Sequence, residues 1–561
     1  MCGISLFAAT FALLGSVAGA YIPEPRPVHG PIHVSALYYP GTEHMPEWNM
    51  VEQVTPDAKP LLGWYDEGDP ENVDWQIKWA VEHGINSFCV CWYWNKGVQR
   101  LDHWVKAFYR AKFRRYMKWY VMYANHNEPG SHSTEDQVRV TKFWIDNYFK
   151  TDEYYRIDGK PVVVYCTSSL LDRDFIAEAL ANGEKLRPGE GIRKAFAISD
   201  RLVKEAGLPG IYWIDMKWLR YYKEYDFDPS VYAVTKHAGF DAMMTYNLGG
   251  CSPYCMAPED RLPGDRLKSC RYDLQVTAAK KLADHAHVLP GVPFFPTIPT
   301  GYDDSPRAFQ RAWVVHSRTP EKFREACEYV RKVAEEKQLK QVMISPINEW
   351  QEGSYIEPCE KFGFAYYDVI RDVFCEKPAE GWPANVTPRS IGRKLREFPP
   401  MFFSPVQSWN FDSSTEGWYR QPFGCCRTRW VDGCLEYLST RDNIFQIRQR
   451  MVPFPASKYG AFCVRMRIRP NAVEGLGRFG KRGIFMRLKW GTATDPIIGV
   501  GNGVDFQECV ASEPVNPDGE WHEYRMQLAG DPFWKGDIEE LWFEGANITH
   551  AVIDIDWMRF E

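Results

Sequence analysis

Three glutamates fall within PINEWQEGSYIEP, Pro346 to Pro358: Glu349, Glu352 and Glu357. They follow the apolar run QVMIS and sit among Trp350, Tyr355 and Ile356. Two carboxyl groups facing one ligand can divide acid and base work when their surroundings push their pKa values apart. Glycoside cleavage needs that division: one group protonates the leaving oxygen while a second acts on the opposite side of the ring. Glu349 and Glu352 flank one site if the chain turns between them, and Gly353 suits a turn. The plain alternative makes Glu352 a solvated loop acid and Glu349 the partner of a buried arginine, since structural ion pairs also place acids at strand ends. Glu357, followed by Pro358, reads as a brace for the loop.

Between about residues 33 and 375 short apolar runs alternate with helical periods. The runs at 34–40, 85–94, 118–125, 160–166, 210–216, 240–247, 293–299 and 341–347 read as strands. VDWQIKWAVEHG, TEDQVRVTKFWIDNYF and PEKFREACEYVRKVAEEKQ read as helices, the last with apolar residues at 3–4 spacing and a proline at its start. This pattern predicts an α/β fold, a (β/α)8 TIM barrel with long loops. A doubly wound open sheet is the alternative, but its phosphate-cradling glycines are missing after the first strand, where YYPGTEH stands.

In such a barrel the chemistry comes from the C-terminal ends of the strands. Candidate substrate-binding residues there are Tyr38, Tyr39, Trp92, Trp94, Asn125, His126, Glu128, Tyr246, Tyr302, Asp303 and Trp350. Asp215, Lys217 and Asn247 occupy similar positions. Each has a plain alternative: a strand-end tryptophan is more often core than platform, and a lone His126 is more often a bonded loop residue. Aromatic faces combined with directional hydrogen bonders are what a polyhydroxylated ligand requires.

The 561 residues are 45% hydrophobic and 25% charged, as in a globular protein with a sizeable core. A net charge of -6 gives no basic footprint for nucleic acid. Aromatics make up 15% of the chain, consistent with large cores or with sugar-binding platforms. Residues 1–20, MCGISLFAATFALLGSVAGA, resemble a secretory signal, although no basic residue precedes Arg26. Export to the periplasm, cell surface or exterior is therefore expected, with no integral membrane segment in the mature chain. Cys251, Cys255, Cys270 and Cys425, Cys426, Cys434 are loop candidates for disulfides, while Cys89 and Cys91 alternate as small buried residues. No zinc motif occurs, and no cofactor is required by the proposed chemistry.

PPMFFSP, 399–405, reads as a linker dividing a catalytic unit, 21–400, from an alternating-strand unit, 401–561. The second unit predicts a β-sandwich of jelly-roll type. Trp409, Trp418, Trp430 and Trp542 are sugar platforms or core there, and Asp412 or Asp556 could hold a structural Ca²⁺.

The ensemble NEWQEGSYIE (348–357), ALYYP, EHGINSFCVCWYW, YYRIDGKPVVVYC, GFDAMMTYN, GYDDSPR and FGFAYYDVIRDVF resembles glycoside hydrolase family 99, which contains the endo-α-mannosidases. It is closer still to the family-99-like group labelled WbsX, some of whose members are described as glycosyltransferases. The resemblance implies a retaining mechanism with no conventional enzyme nucleophile. Glu349 would be base on the sugar's own 2-hydroxyl, through a 1,2-anhydro intermediate, and Glu352 would be acid. Tyr246 matches a site-lining tyrosine, and Glu128 the acidic residue ending strand 3. Gln351 replaces the family's usual histidine, and Ser354-Tyr355 replaces Thr-Gln, which bears on a strict mannoside preference. The C-terminal unit resembles carbohydrate-binding modules. An exported retaining glycoside hydrolase, endo-acting on a polysaccharide or glycan, is the leading expectation. A WbsX-like glycosyltransferase and a non-catalytic carbohydrate-binding protein are the alternatives.

Overall fold

The computed structural model describes residues 21–42, 48, 51–52, 55–217, 229–247, 268–285, 292–308, 313–395, 403–420, 427–438, 446–470, 477–478, 484–492, 510–549 and 551–561. The expected signal segment and most of the 399–405 linker lie outside these residues.

Eight parallel strands form the first unit. They are β1 (His33–Tyr38), β2 (Ile85–Asn95), β3 (Lys118–Tyr123), β4 (Lys160–Tyr165), β5 (Tyr212–Lys217) and β6 (Ala242–Thr245), followed by β7 in two pieces (Phe294–Phe295 and Thr297–Pro299) and β8 (Gln341–Ser345). Each pairs with its successor, and β8 pairs back onto β1, with Ala36 opposite both Phe88 and Ile344. The sheet is therefore closed, which excludes the open doubly wound arrangement. Pro296 splits β7 because it offers no N–H to a neighbouring strand. The first piece of β7 pairs with β6 and the second with β8, so closure survives the break.

Among the described residues, nine helices of eight residues or more surround the barrel: α1 (Pro70–Val81), α2 (His103–Arg110), α3 (Thr134–Trp144), α4 (Ser168–Ala181), α5 (Glu190–Glu205), α6 (Pro229–Ala238), α7 (Tyr272–His285), α8 (Pro320–Glu336) and α9 (Ala365–Phe374). Their starts are written locally. Asp69 accepts from the Glu71 amide at 3.0 Å, and Ser133 and Thr319 cap α3 and α8 in the same way. Pro70 and Pro320 take first-turn positions where a missing N–H costs nothing.

Strand parity decides what faces the barrel interior. On β1 and β2, Ser35 and Ser87 point inward to a buried polar layer with Tyr120, whose phenol lies 2.8 Å from the Ser35 hydroxyl. Val34, Ala36, Phe88 and Val90 are buried among apolar neighbours. Burial of such side chains supplies roughly 1.5–3 kcal/mol each.

The second unit is a β-sandwich. One antiparallel sheet runs in the order Arg427–Val431, Cys434–Leu438, Ala551–Phe560, Ala461–Pro470, His522–Gln527. The other runs Tyr419–Arg420, Gln446–Pro455, Asp537–Glu544, Phe485–Gly491, Val510–Pro514. Phe462, Val464, Met466 and Ile468 from the first sheet share one core with Met486, Leu488, Leu541 and Phe543 from the second. Between them Arg465, Arg467 and Arg469 turn outward and pair with Asp554, Asp556 and Glu436. Asp556 is thus engaged by Arg465, and among the described residues no group of three ligating side chains surrounds it or Asp412. Trp409 and Trp418 are core, whereas Trp542 is buried on the other face of its strand, beneath Arg448. Trp430 alone of the four is exposed, at 44%, with its indole N–H on the Phe411 carbonyl.

Cys89 and Cys91 are buried, as expected. Cys434 carries a free thiol, and Cys251, Cys255, Cys425 and Cys426 lie outside the described residues.

Candidate active site

Beyond β8 the chain forms a tight hairpin. Asn348–Glu349 pairs with Ser354–Tyr355, Asn348 opposite Tyr355 and Glu349 opposite Ser354. A helical turn, Trp350–Glu352, closes it, followed by Gly353 at φ 57°. Glycine is required there twice over. The left-handed backbone disfavours a side chain, and a Cβ would lie 2.6 Å from Cβ of Asp303. That close approach lets the Asp303 amide donate to the Glu352 carbonyl at 2.5 Å. The loop after β7 thereby clamps the turn that carries both glutamates. Asn247, at the end of β6, adds a second tie by donating to the Ser354 hydroxyl at 2.7 Å.

Glu349 is only 7% exposed, and the phenol of Tyr246 donates to its Oε1. The Tyr246 phenol is held far above its ordinary pKa by burial first and then by the charges of Glu349 and Glu352. The Tyr39 phenol is raised for the same reasons in the same order. Burial likewise raises the Cys91 thiol, with Glu349 and Glu352 again contributing. Four elements, β1, β2, β6 and the hairpin after β8, therefore direct side chains to one place at the C-terminal mouth of the barrel. Glu352 is less buried than Glu349.

A buried polar network stands behind the hairpin. Glu357 accepts from Tyr65 at 2.6 Å, Gln76 at 3.0 Å and the Trp350 indole at 3.1 Å. Burial pushes its carboxyl up to about 7, with the charge of nearby Glu67 adding to the rise and the bonds from Tyr65 and Gln76 opposing it. Glu67 accepts from the Thr42 amide at 2.7 Å, from Tyr38 at 3.0 Å and from Asn348 at 3.0 Å. Asn348 in turn holds the backbone of Tyr39 at both N–H and C=O, 2.8 Å each. Glu357 is the loop brace expected of it.

The expected site residues divide. Tyr39, Tyr246, Glu349 and Glu352 converge, and the backbone of Asp303 reaches the same turn. Tyr302 is half-buried beside them, its phenol 3.3 Å from Asp304. His126 and Glu128 stand exposed at the rim. His126 meets the Tyr93 ring edge-on, and Glu128 accepts from Asn95 at 3.2 Å.

Five others do not line the site. Trp92 and Trp94 stack on each other at 5.6 Å and pack against Phe143, turned toward α3, with the Trp94 indole on Asp136 at 3.2 Å. Tyr38 packs on Trp104 of α2, away from Tyr39. Asn125 is buried and bonds both backbone groups of Thr167. Trp350 is 2% exposed, stacked on Tyr355 at 4.1 Å, and is core of the loop rather than a platform. Parity is the common reason: alternate residues of a strand face opposite sides, so Trp92 and Trp94 leave Cys91 and Tyr93 to face the mouth.

Tyr93 is the residue that reading for tryptophans misses. Its phenol is raised by burial, then by Cys91, Tyr39 and Glu349. Its parity with Cys91 was the available signal. Glu67, in the loop segment YDEGDP, offered none.

Comparison with known proteins adds the following. A family model described as "Glycosyltransferase WbsX" matches residues 47–370. The uncharacterized protein WxcX of Xanthomonas campestris is 21% identical over 407 residues, covering 65% of this chain and 53% of its own length. The chain thus spans about half the length of the curated relatives it matches. Among solved structures, the GH99 endo-alpha-mannosidase from Bacteroides thetaiotaomicron matches at 19% identity and a TM-score of 0.38, over 61% of this chain and 96% of that one. The xylan-binding module CBM86 from Roseburia intestinalis matches at 13% identity and a TM-score of 0.15, over 28% of this chain and 92% of the module.

Proposed function

This chain belongs to the WbsX family, and from that premise we propose that it is a retaining glycoside hydrolase acting on a polysaccharide or glycan. In this reading Glu349 is the base and Glu352 the acid. The observation that carries it is the meeting of Tyr246, Tyr39 and Cys91 with the charges of both glutamates at the barrel mouth, with the Tyr246 phenol on Glu349. A general base must be held within hydrogen-bond reach of the proton it takes. The phenol fixes one oxygen of Glu349, and the Asp303–Glu352 clamp fixes the turn. The more open setting of Glu352 suits a group that must reach a departing oxygen.

The base acts on the substrate's own 2-hydroxyl, which displaces the leaving group through a 1,2-anhydro sugar that water then opens. Export, through the apolar segment 1–20, and a sugar-binding role for the sandwich beyond about residue 400 complete the proposal. The family's name favours a second reading, transfer from a nucleotide-sugar donor.

One experiment separates the two. Purified protein is offered a polysaccharide panel with and without nucleotide sugars, and products are analysed for size and anomeric configuration. Hydrolysis with retention is expected, and Glu349→Gln and Glu352→Gln should each lower kcat by at least ~100-fold. Activity that depends on a nucleotide sugar makes the chain a transferase. Wild-type rates in both variants remove the two glutamates from the mechanism.

A further inference from the structure

Beside the turn that carries Glu352 lies a cavity of about 190 Å³, walled by the loops after β1, β7 and β8. Tyr302, Tyr355 and Phe362 give it aromatic walls, and Asp303 and Arg318 give it charged ones. Arg318 decides what such a space accepts. Its Nη1 donates to the carbonyls of Gly353 at 3.2 Å and Tyr355 at 2.6 Å, and to that of Thr300. Its guanidinium carbon lies 4.6 Å from the Tyr355 ring centroid and 5.6 Å from that of Phe362.

These contacts fix the plane of the fork. They leave Nε and Nη2 without a hydrogen-bond partner among the described residues, and no carboxylate there comes within 4.0 Å of the guanidinium. The other cation of the cavity is already matched, Lys361 pairing with Asp57 at 2.7 Å. Asp303 spends one oxygen on the Ser305 amide at 3.0 Å.

Among the described residues this half-buried guanidinium in the cavity wall has no carboxylate partner, and a bound anion would supply the negative charge it lacks. The planar fork matches a carboxylate with two parallel hydrogen bonds better than any neutral group. We propose that this cavity binds the carboxylate of a hexuronic acid unit of the glycan, seated on Arg318 with its ring against Tyr302 and Phe362. The inference rests on the glycan-acting reading above and makes the substrate an acidic polysaccharide.

Binding is tested without any cleavage step. D-Glucuronate, D-galacturonate and D-mannuronate are each titrated calorimetrically into the full chain against the neutral methyl ester of the same sugar. At least one acid should bind saturably, with its ester at least ~10-fold weaker. Arg318→Lys keeps the charge but loses the fork and should weaken the acid by about 10- to 100-fold, the usual range for a charge-assisted pair. Phe362→Trp fills the cavity while leaving Arg318 in place and should weaken it comparably, with the melting temperature of the unliganded protein unchanged. Equal binding of acid and ester, or no saturable binding of either, overturns the proposal. A chain that binds the acid but cleaves no polysaccharide keeps this site and loses the hydrolase reading. A chain that cleaves neutral polysaccharides and ignores the acids does the reverse.

Discussion

Replacing Glu357 by glutamine should flatten the pH dependence of barrel stability between about pH 4.5 and 7. The buried carboxyl is raised from 4.5 to about 7, chiefly by burial. Below pH 4.5 folded and unfolded chains both hold this proton, and the group favours neither. Between pH 4.5 and 7 the unfolded chain ionises while the folded one keeps its proton, so stability falls steadily as pH rises. Above pH 7 both forms are ionised and the loss is complete. A difference of about 2.5 units at 1.36 kcal/mol each makes that loss roughly 3 kcal/mol. Glutamine has nearly the same shape but cannot ionise. It also turns an NH₂ toward a site ringed by the donors of Tyr65, Gln76 and Trp350, a pH-independent cost of roughly 1–3 kcal/mol. The signal is therefore the slope and not the absolute stability. Urea unfolding of wild type and Glu357→Gln across pH 4.5–8 measures it, since contributions from all other groups cancel in the difference. The variant should gain about 3 kcal/mol on wild type between the two ends. Parallel curves would refute the assignment of a raised, buried carboxyl behind the hairpin.

Three further outcomes follow from the same geometry. Tyr246→Phe removes the phenol from Glu349 and should lower kcat by about 10- to 100-fold, the worth of a hydrogen bond to a charged group, with little change in melting temperature; full activity would show that the phenol does not position Glu349. Trp94→Ala should destabilise the barrel by about 3–5 kcal/mol while leaving KM of the folded protein unchanged, because the indole packs toward α3; a raised KM at unchanged stability would return it to the site. Gly353→Ala should cut activity at least ~10-fold by forcing Asp303 off the turn, whereas Gly363→Ala, also left-handed at φ 55° but with nothing within 4 Å of the added methyl, should cost only about 1 kcal/mol of stability; equal effects would deny the clamp.

The sequence by itself determined all eight barrel strands, the second, all-β unit and the stretch that bears the acids. Those features are local: alternation and helical period, Asp69, Ser133 and Thr319 as caps, and Gly353 as the one residue that fits a left-handed turn all act within a few positions. The inward or outward sense of each strand end depends instead on what packs against it. Only the tertiary structure turned Trp92 and Trp94 toward α3, sent Tyr38 to Glu67 and gave the mouth to Tyr39, Cys91 and Tyr93. Long-range partners were equally invisible. Asp303 meets Glu352, Glu67 meets Asn348 and Arg318 reaches the Tyr355 carbonyl only after closure of the sheet brings the loops of β1, β7 and β8 together. Residue type announced that carboxylates and aromatics were present near the strand ends. Barrel closure decided which of them share one space, because closure fixes both the side each residue faces and the loops it meets.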